Sequence, residues 1–395
     1  MINEKMRELG ANRSTIRELY EYGRKMKAEL GEDSVFDYSL GNPSVEPPIE
    51  VKEALSFLIE NTPEIELHGY TSADGDPEVR RAIAEHIAER FDTEADPRYI
   101  YMTVGAAAAL TATIKGVVSP GESVIVISPF FPEYKVFIEA AGAVCKQVPA
   151  REKDFGLDID AIKDALDETV GAIIVNSPNN PTGAVYSKSD IKALSDLLTK
   201  KSKKYEKTIY IIADEPYREL VYDGIKVPFI PKYYDNTVVC YSFSKSLSLP
   251  GERIGYVFVS PSCEDRKNVF RAIAGAGRSL GFVCAPSLFQ RLVPFCLGKT
   301  ADLSVYEENK KILYDALTSY GYEVVYPEGA FYLFVKSPIP SAEDFSDIAK
   351  KYGLLLVPSN DFGCEGYVRL AYCQSTDMIR RSLPAFEQLI AEFAE

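Results

Sequence analysis

Thr237 to Gly255 reads TVVCYSFSKSLSLPGERIG. It opens with a β-branched run, Thr237, Val238 and Val239, which predicts a strand. The strand ends in a serine-rich turn that holds one lysine, Lys245. Arg253 follows eight positions on, with Pro250 and Gly251 between them to form a loop. The strand is apolar along its length, without polar alternation, as expected of a strand buried on both faces.

Six further runs have the same character: YIYMT at 99–103, SVIVIS at 123–128, AVCKQV at 143–148, GAIIVN at 171–176, TIYIIAD at 208–214 and YVFVS at 256–260. Helical patterns or loops long enough for crossovers separate most of them. The expectation is an α/β fold: a mostly parallel seven-stranded sheet with helices on both faces. From about Val283 the pattern changes to long helices, then GYEVVYPEGAFYLFVK and VRLAY before a last amphipathic helix. That predicts a second, smaller α+β domain. The expected division is 1–47 as an N-terminal arm and part of the small domain, 48–285 as the large domain and 286–395 as the small domain.

With 395 residues the chain has ample core for two domains, and 46% hydrophobic with 26% charged residues is the composition of a globular protein. A net charge of −14 argues against general affinity for nucleic acid or an anionic membrane. No apolar run approaches a membrane span. Seven cysteines without a C-x-x-C pair argue against a disulfide framework, so a cytoplasmic location is expected. Two histidines, His68 and His86, are too few for a histidine-based metal cluster, and no metal is expected.

In open parallel sheets, ligands bind beyond the carboxyl ends of the strands. Three consecutive strands here end in polar residues. GAIIVN leads into SPNNPTG with Asn180, TIYIIAD ends in Asp214 with Tyr217 three residues on, and TVVCYS ends in Ser242 with Lys245 beyond. Each alone is ordinary turn or capping chemistry, but together they point to a shared site. A buried lysine loses its proton at modest cost, and its neutral amine can form an imine. Ser242 and Arg253 offer donors for a phosphate. Gly105, Ala106 and Ala107 stand between a strand and a helix, where amides and helix dipole favour an anion. An imine-forming lysine beside a phosphate clamp suggests pyridoxal 5′-phosphate. Asp214 would keep its ring nitrogen protonated, Tyr217 and Asn180 would face its ring oxygen, and Phe131 would stack on its ring.

In order along the chain stand GNP at 41–43, GY at 69–70, NNPTG at 179–183, D-x-x-Y at 214–217, S-x-S-K at 242–245, G-x-R-x-G at 251–255 and R-L at 369–370. With these motifs the sequence resembles a class I/II aminotransferase, the aspartate-aminotransferase group of fold-type I pyridoxal-phosphate enzymes. The resemblance implies a ping-pong exchange of an amino group between an amino acid and a 2-oxo acid. Lys245 would form the internal aldimine and shuttle the proton. Arg369 would clamp the substrate carboxylate, helped by Gly41 and Asn180. Tyr70 would join the phosphate site of a neighbouring subunit, implying a homodimer with shared active sites. Arg278 stands about where some aspartate enzymes bring an arginine across that interface, which would select dicarboxylic substrates; an ordinary solvated arginine is the alternative. The loop GAAAA lacks the hydroxyls many relatives carry, and Phe131 stands where some have Trp. Aspartate or glutamate with 2-oxoglutarate is the leading substrate pair. A carbon–sulfur β-lyase and a non-catalytic regulatory module remain the other readings.

Overall fold

Seven strands form the central sheet: β1 Ile100–Thr103, β2 Ser123–Ser128, β3 Val144–Pro149, β4 Val170–Asn176, β5 Tyr210–Asp214, β6 Thr237–Ser242 and β7 Gly255–Val259. They are seen in a computed structural model that describes residues 2–11 and 14–393; Met1, Asn12, Arg13, Ala394 and Glu395 lie outside the described residues. The order across the sheet is β1-β7-β6-β5-β4-β2-β3. β7 is antiparallel to both neighbours, and the remaining pairs are parallel. The β6–β7 connection carries only the short helix Phe243–Ser246 and a loop, so the chain turns straight back instead of crossing over. Each expected strand is present, displaced by at most two residues at its ends.

β4 to β7 are buried almost throughout, so both sheet faces need cover. On one face helices Ala106–Val117 and Arg266–Ser279 pack together over Val126, Ile174, Ile212 and Val257. On the other, Pro77–Phe91 and Lys188–Tyr205 cover Ile125, Ile173, Ile211 and Phe258. Pro77 starts its helix under an Asp76 cap, whose side chain accepts from the Glu78 amide at 3.0 Å.

A second sheet of four short antiparallel strands runs in the order Val357–Pro358, Tyr367–Ala371, Tyr332–Lys336, Val324–Val325. Helices Ser304–Ser319, Ala342–Ala349 and Thr376–Ala391 cover it, burying Leu313, Phe345 and Phe386 against Leu333 and Leu370. The N-terminal chain joins this unit: Phe36–Asp37 pairs in parallel with Leu354–Leu355, and Leu19 packs on Val357 and Phe362. Helix Ser287–Cys296 departs from the expected boundary at residue 285. Its stripe of Leu292, Val293 and Cys296 is buried in the core of the larger unit, against helices Ile49–Asn61 and Pro77–Phe91.

Candidate active site

The strand register gathers the polar exits along one edge. Asn176 stands opposite Asp214, Asp214 opposite Cys240, and both Ser242 and Thr103 opposite Gly255. A cavity of about 260 Å³ opens above this edge. Lining it are Gly41, Ala106, Ala107, Phe131, Asn180, Asp214, Tyr217, Ser242, Lys245, Arg253 and Arg369, brought together from both units.

Lys245 sits on the one-turn helix Phe243–Ser246 that begins where β6 ends. Its Nζ donates to the Gly41 carbonyl at 2.7 Å and stands 5.4 Å from the centre of the Phe331 ring. Burial pulls its pKa down to about 8; Cys373 opposes this, and the Arg253 and Arg369 charges add to it. A useful fraction of neutral amine is therefore present near neutral pH. A Cβ at Gly41 would lie 2.1 Å from the Tyr332 hydroxyl oxygen, so any larger residue there would displace that ring.

Asp214 is buried at the end of β5. Burial pushes its carboxyl up to about 7; the Tyr134 hydroxyl, which donates to Oδ2, pulls it back, and Glu215 pushes it further. Asn176 Nδ2 donates to the Asp214 carbonyl at 3.0 Å and to Oδ2 at 3.3 Å. Oδ1 is also buried but has no hydrogen-bond partner among the described residues. A buried carboxylate oxygen left bare is costly unless a donor is supplied from elsewhere.

At the other end of the cavity, Gly105 precedes helix Ala106–Val117 with φ 84°, and a Cβ there would lie 2.6 Å from Arg253 Nη2. Glycine thus lets the guanidinium lie against the helix N-terminus, where amides and cation converge on one anion site. Arg253 donates to the carbonyls of Pro250 at 2.9 Å and Val104 at 3.3 Å, with no carboxylate among its partners in the described residues. Ser242 caps the short helix through the Ser244 amide and bonds the Ser244 hydroxyl at 2.8 Å. Ser244, 3.5 Å from Arg253 Nη1, is the second hydroxyl of this corner and was not picked out from the sequence.

Arg369, from the second sheet, is 2% exposed. Its Nη1 donates to Asn180 Oδ1 at 3.1 Å and its Nη2 to the Ser39 carbonyl at 2.6 Å, while Nε has no partner among the described residues. Tyr217 shares a hydrogen bond of 2.9 Å with the Tyr332 hydroxyl. Burial, and next the Tyr332 hydroxyl beside it, hold the Tyr217 phenol well above its usual pKa.

Tyr70 and Arg278 are not brought to this cavity. Tyr70 is 94% exposed, and Arg278 is exposed in the last turn of helix Arg266–Ser279. No motif in the sequence marks Tyr134 or Tyr332: Tyr134 stands between Glu133 and Lys135 in a helical pattern, and Tyr332 in the apolar run AFYLFV. A cavity of about 510 Å³ lies elsewhere on the larger unit, but its acids are paired within it, Glu215 with Arg218 and Glu219 with Arg90.

The family model described as aminotransferase class I and II matches residues 33–386. A curated relative from Bacillus subtilis, a probable N-acetyl-LL-diaminopimelate aminotransferase, is 31% identical over 92% of this chain and 91% of its own length. The aspartate aminotransferase of Pyrococcus abyssi is 28% identical over 96% of each. Among solved structures, an amino transferase from Eubacterium rectale superimposes with a TM-score of 0.98 at 49% identity, covering 100% of both chains. None of these is named a carbon–sulfur lyase or a regulatory protein.

Proposed function

The chain belongs to the class I and II aminotransferases and moves an amino group between an amino acid and a 2-oxo acid; from that premise we propose that pyridoxal 5′-phosphate is its cofactor, held by Asp214, Arg253 and Lys245. One observation carries this reading. A depressed-pKa lysine and a buried aspartate with a bare oxygen line the same cavity. Asp214 Oδ1 suits a pyridinium N–H, and binding it would restore the carboxylate to its ionised form. The Gly105–Ala107 amides with Arg253 suit the phosphate, and Phe131, which lines the cavity, suits the ring face.

When bound, the cofactor supplies a carbonyl carbon for amines and a ring that accepts electrons from the substrate Cα. The protein's own residues do the rest. Lys245 would hold and return the proton at the substrate Cα. Tyr217 and Asn180 would donate toward the cofactor's ring oxygen. Arg369 would take the substrate α-carboxylate, its bare Nε adding a further donor, and would so hold the substrate beside Lys245. Incubating the protein with pyridoxal 5′-phosphate, an amino acid and 2-oxoglutarate tests the proposal. Glutamate formation dependent on added cofactor supports it; equal turnover in fully resolved protein without cofactor refutes it.

For the substrate we propose aspartate or glutamate with 2-oxoglutarate. This needs a homodimer in which Tyr70 and Arg278 reach the cavity of a second copy. The exposure of Tyr70 together with Ile59 and Ile65 supports such an interface. One observation favours broader use: within the chain, Ile16, Leu40 and Leu110 give the cavity an apolar wall. An amino-acid panel run on wild type and Arg278→Ala separates the two. Selective loss of dicarboxylic turnover supports the first, and an unchanged profile supports the second.

A further inference from the structure

Lys245 stands on a helix of one turn, Phe243–Ser246, too short to hold its shape by itself. That turn is a partition between two cavities. Ser244 and Lys245 line the site of about 260 Å³, while Phe243 and Ser246 line the cavity of about 510 Å³ on the other side. Along that second cavity runs a chain of hydrogen bonds. Arg90 Nη1, from the last turn of Pro77–Phe91, donates to Glu219 Oε1 at 2.6 Å, and Glu219 Oε2 accepts from the Tyr241 hydroxyl at 2.9 Å. The Tyr241 oxygen stands 3.1 Å from Ser246 Oγ. A carboxylate only accepts, so Tyr241 points its one proton at Glu219, and the Ser246 hydroxyl donates to Tyr241. The Arg90–Glu219 pair, with the Glu219 side chain 9% exposed, therefore sets the direction of the whole chain. Burial, and next the Glu219 charge, hold the Tyr241 phenol well above its usual pKa, so it stays a donor. Its ring is held by Tyr256, stacked at 5.0 Å, and by Phe243, edge-on at 5.1 Å. The Ser246 carbonyl accepts from the Ala301 amide at 2.8 Å, which ties down the backbone at the same end of the turn.

Resting on the function proposed above, we infer that Glu219, Tyr241 and Ser246 are positioning residues: from behind the site, their hydrogen bonds fix the rotation of the one-turn helix and so aim the Lys245 amine at the substrate Cα. Consecutive residues of a helix leave it about 100° apart, so Ser246 and Lys245 project to different sides of one small rigid body. A rotation that takes Ser246 off Tyr241 swings Lys245 by a similar angle. A misplacement of about 1 Å slows a proton transfer by up to about 10²-fold. The groups proposed to hold the substrate carboxylate and the cofactor phosphate, Arg369 and Arg253, lie outside this turn. Loosening it therefore slows the chemical step and leaves both affinities alone. The Ala301 tether limits the swing, so the loss is graded and the helix is not abolished.

The test uses Tyr241→Phe, which keeps the stacked ring, and Ser246→Ala, which keeps a good helix former; each removes one hydroxyl. The first measurement is amide hydrogen exchange of the cofactor-free protein, read by mass spectrometry on the peptide spanning residues 243–247. Exchange there should quicken by roughly 10-fold in both variants, with the strands of the central sheet unchanged. The second is the half-reaction: cofactor-loaded protein is mixed with L-glutamate, or with the best donor of an amino-acid panel, and its visible band is followed. The rate at saturation should fall by roughly 10-fold, while the half-saturating amino-acid concentration and the cofactor affinity hold within about twofold. Ser246→Thr, which keeps the hydroxyl, should restore both readouts, and the double variant should lose no more than the worse single one. Unchanged exchange at 243–247 in both single variants, a loss carried by half-saturation instead of rate, or losses that multiply in the double variant overturn the inference. Wild type that takes up cofactor but whose visible band responds to no amino acid overturns instead the function on which it rests.

Discussion

The two faces of β5 treat buried charge in opposite ways. Behind the strand, Arg218 holds Glu215 through both carboxylate oxygens, donates to the Val227 and Pro228 carbonyls at 3.2 Å, and lies over the Phe91 and Phe229 rings. Every charge there is answered within the chain. On the cavity face, among the described residues, Arg369 is as deeply buried but has only an amide oxygen and a carbonyl, Lys245 has one carbonyl, and Asp214 Oδ1 has no partner. Burying unmatched charge is expensive, so a fold that does so at three neighbouring positions has a use for each. The paired face holds the structure together, and the unpaired face is arranged for ligands that bring the missing charges.

Substitutions can break or sharpen this contrast. The largest effect is expected from Lys245→Ala: kcat/KM should fall by at least about 10⁴-fold while the melting temperature holds or rises, measured by steady-state kinetics and calorimetry. Arg218→Ala should do the opposite. Leaving Glu215 buried and alone should lower unfolding free energy by about 3–5 kcal/mol in urea titrations, with activity per folded molecule retained. Arg369→Lys, which gives up the planar fork, should cost about 2–4 kcal/mol in kcat/KM, a 30- to 1000-fold drop carried mainly by KM, with stability nearly unchanged. If Arg218→Ala and Arg369→Lys proved alike in both assays, the two faces would not differ as described.

The pH dependence of the cofactor-free protein sharpens the same point. Asp214 titrates at about 7 when folded against 3.8 unfolded, so the folded state binds more protons between these values and stability falls as pH rises through that window. Lys245 titrates at about 8 against 10.5, so the unfolded state binds more protons there and stability rises again from pH 8 to 10.5. Urea midpoints against pH should trace a trough, each limb sloping by at most about 1.4 kcal/mol per unit, and Asp214→Asn should remove the acidic limb. The smallest effect is that of Tyr134→Phe. Losing its hydroxyl on Asp214 should move that limb to higher pH and weaken cofactor affinity by roughly 2- to 10-fold, read by fluorescence titration.

Much of this was legible in the sequence because the physics was local. The strands of the central sheet are buried on both faces, so their apolar runs stand out without any knowledge of partners. Asn180, Asp214 and Lys245 are polar residues placed where apolar strands end, and that mismatch advertises them. Tyr134 and Tyr332 give no such signal: one stands between Glu133 and Lys135 in a helical pattern, the other in an apolar run, and only the tertiary fold turns their hydroxyls toward Asp214 and Tyr217. Ser242 looked like a free phosphate donor, yet its hydroxyl is engaged in capping the helix that carries Lys245. Helix Ser287–Cys296 has the same apolar stripe whichever unit it covers, so its packing on the larger one is decided by neighbours distant in sequence.

The account turns on the amine of Lys245 forming the bond to the cofactor. Borohydride reduction of the cofactor-loaded protein, followed by proteolysis and mass spectrometry, measures this directly. The pyridoxyl mass should be found on the peptide that contains Lys245. Its recovery on a different lysine, or the absence of any fixed cofactor in protein that had turned yellow, would contradict the assignment.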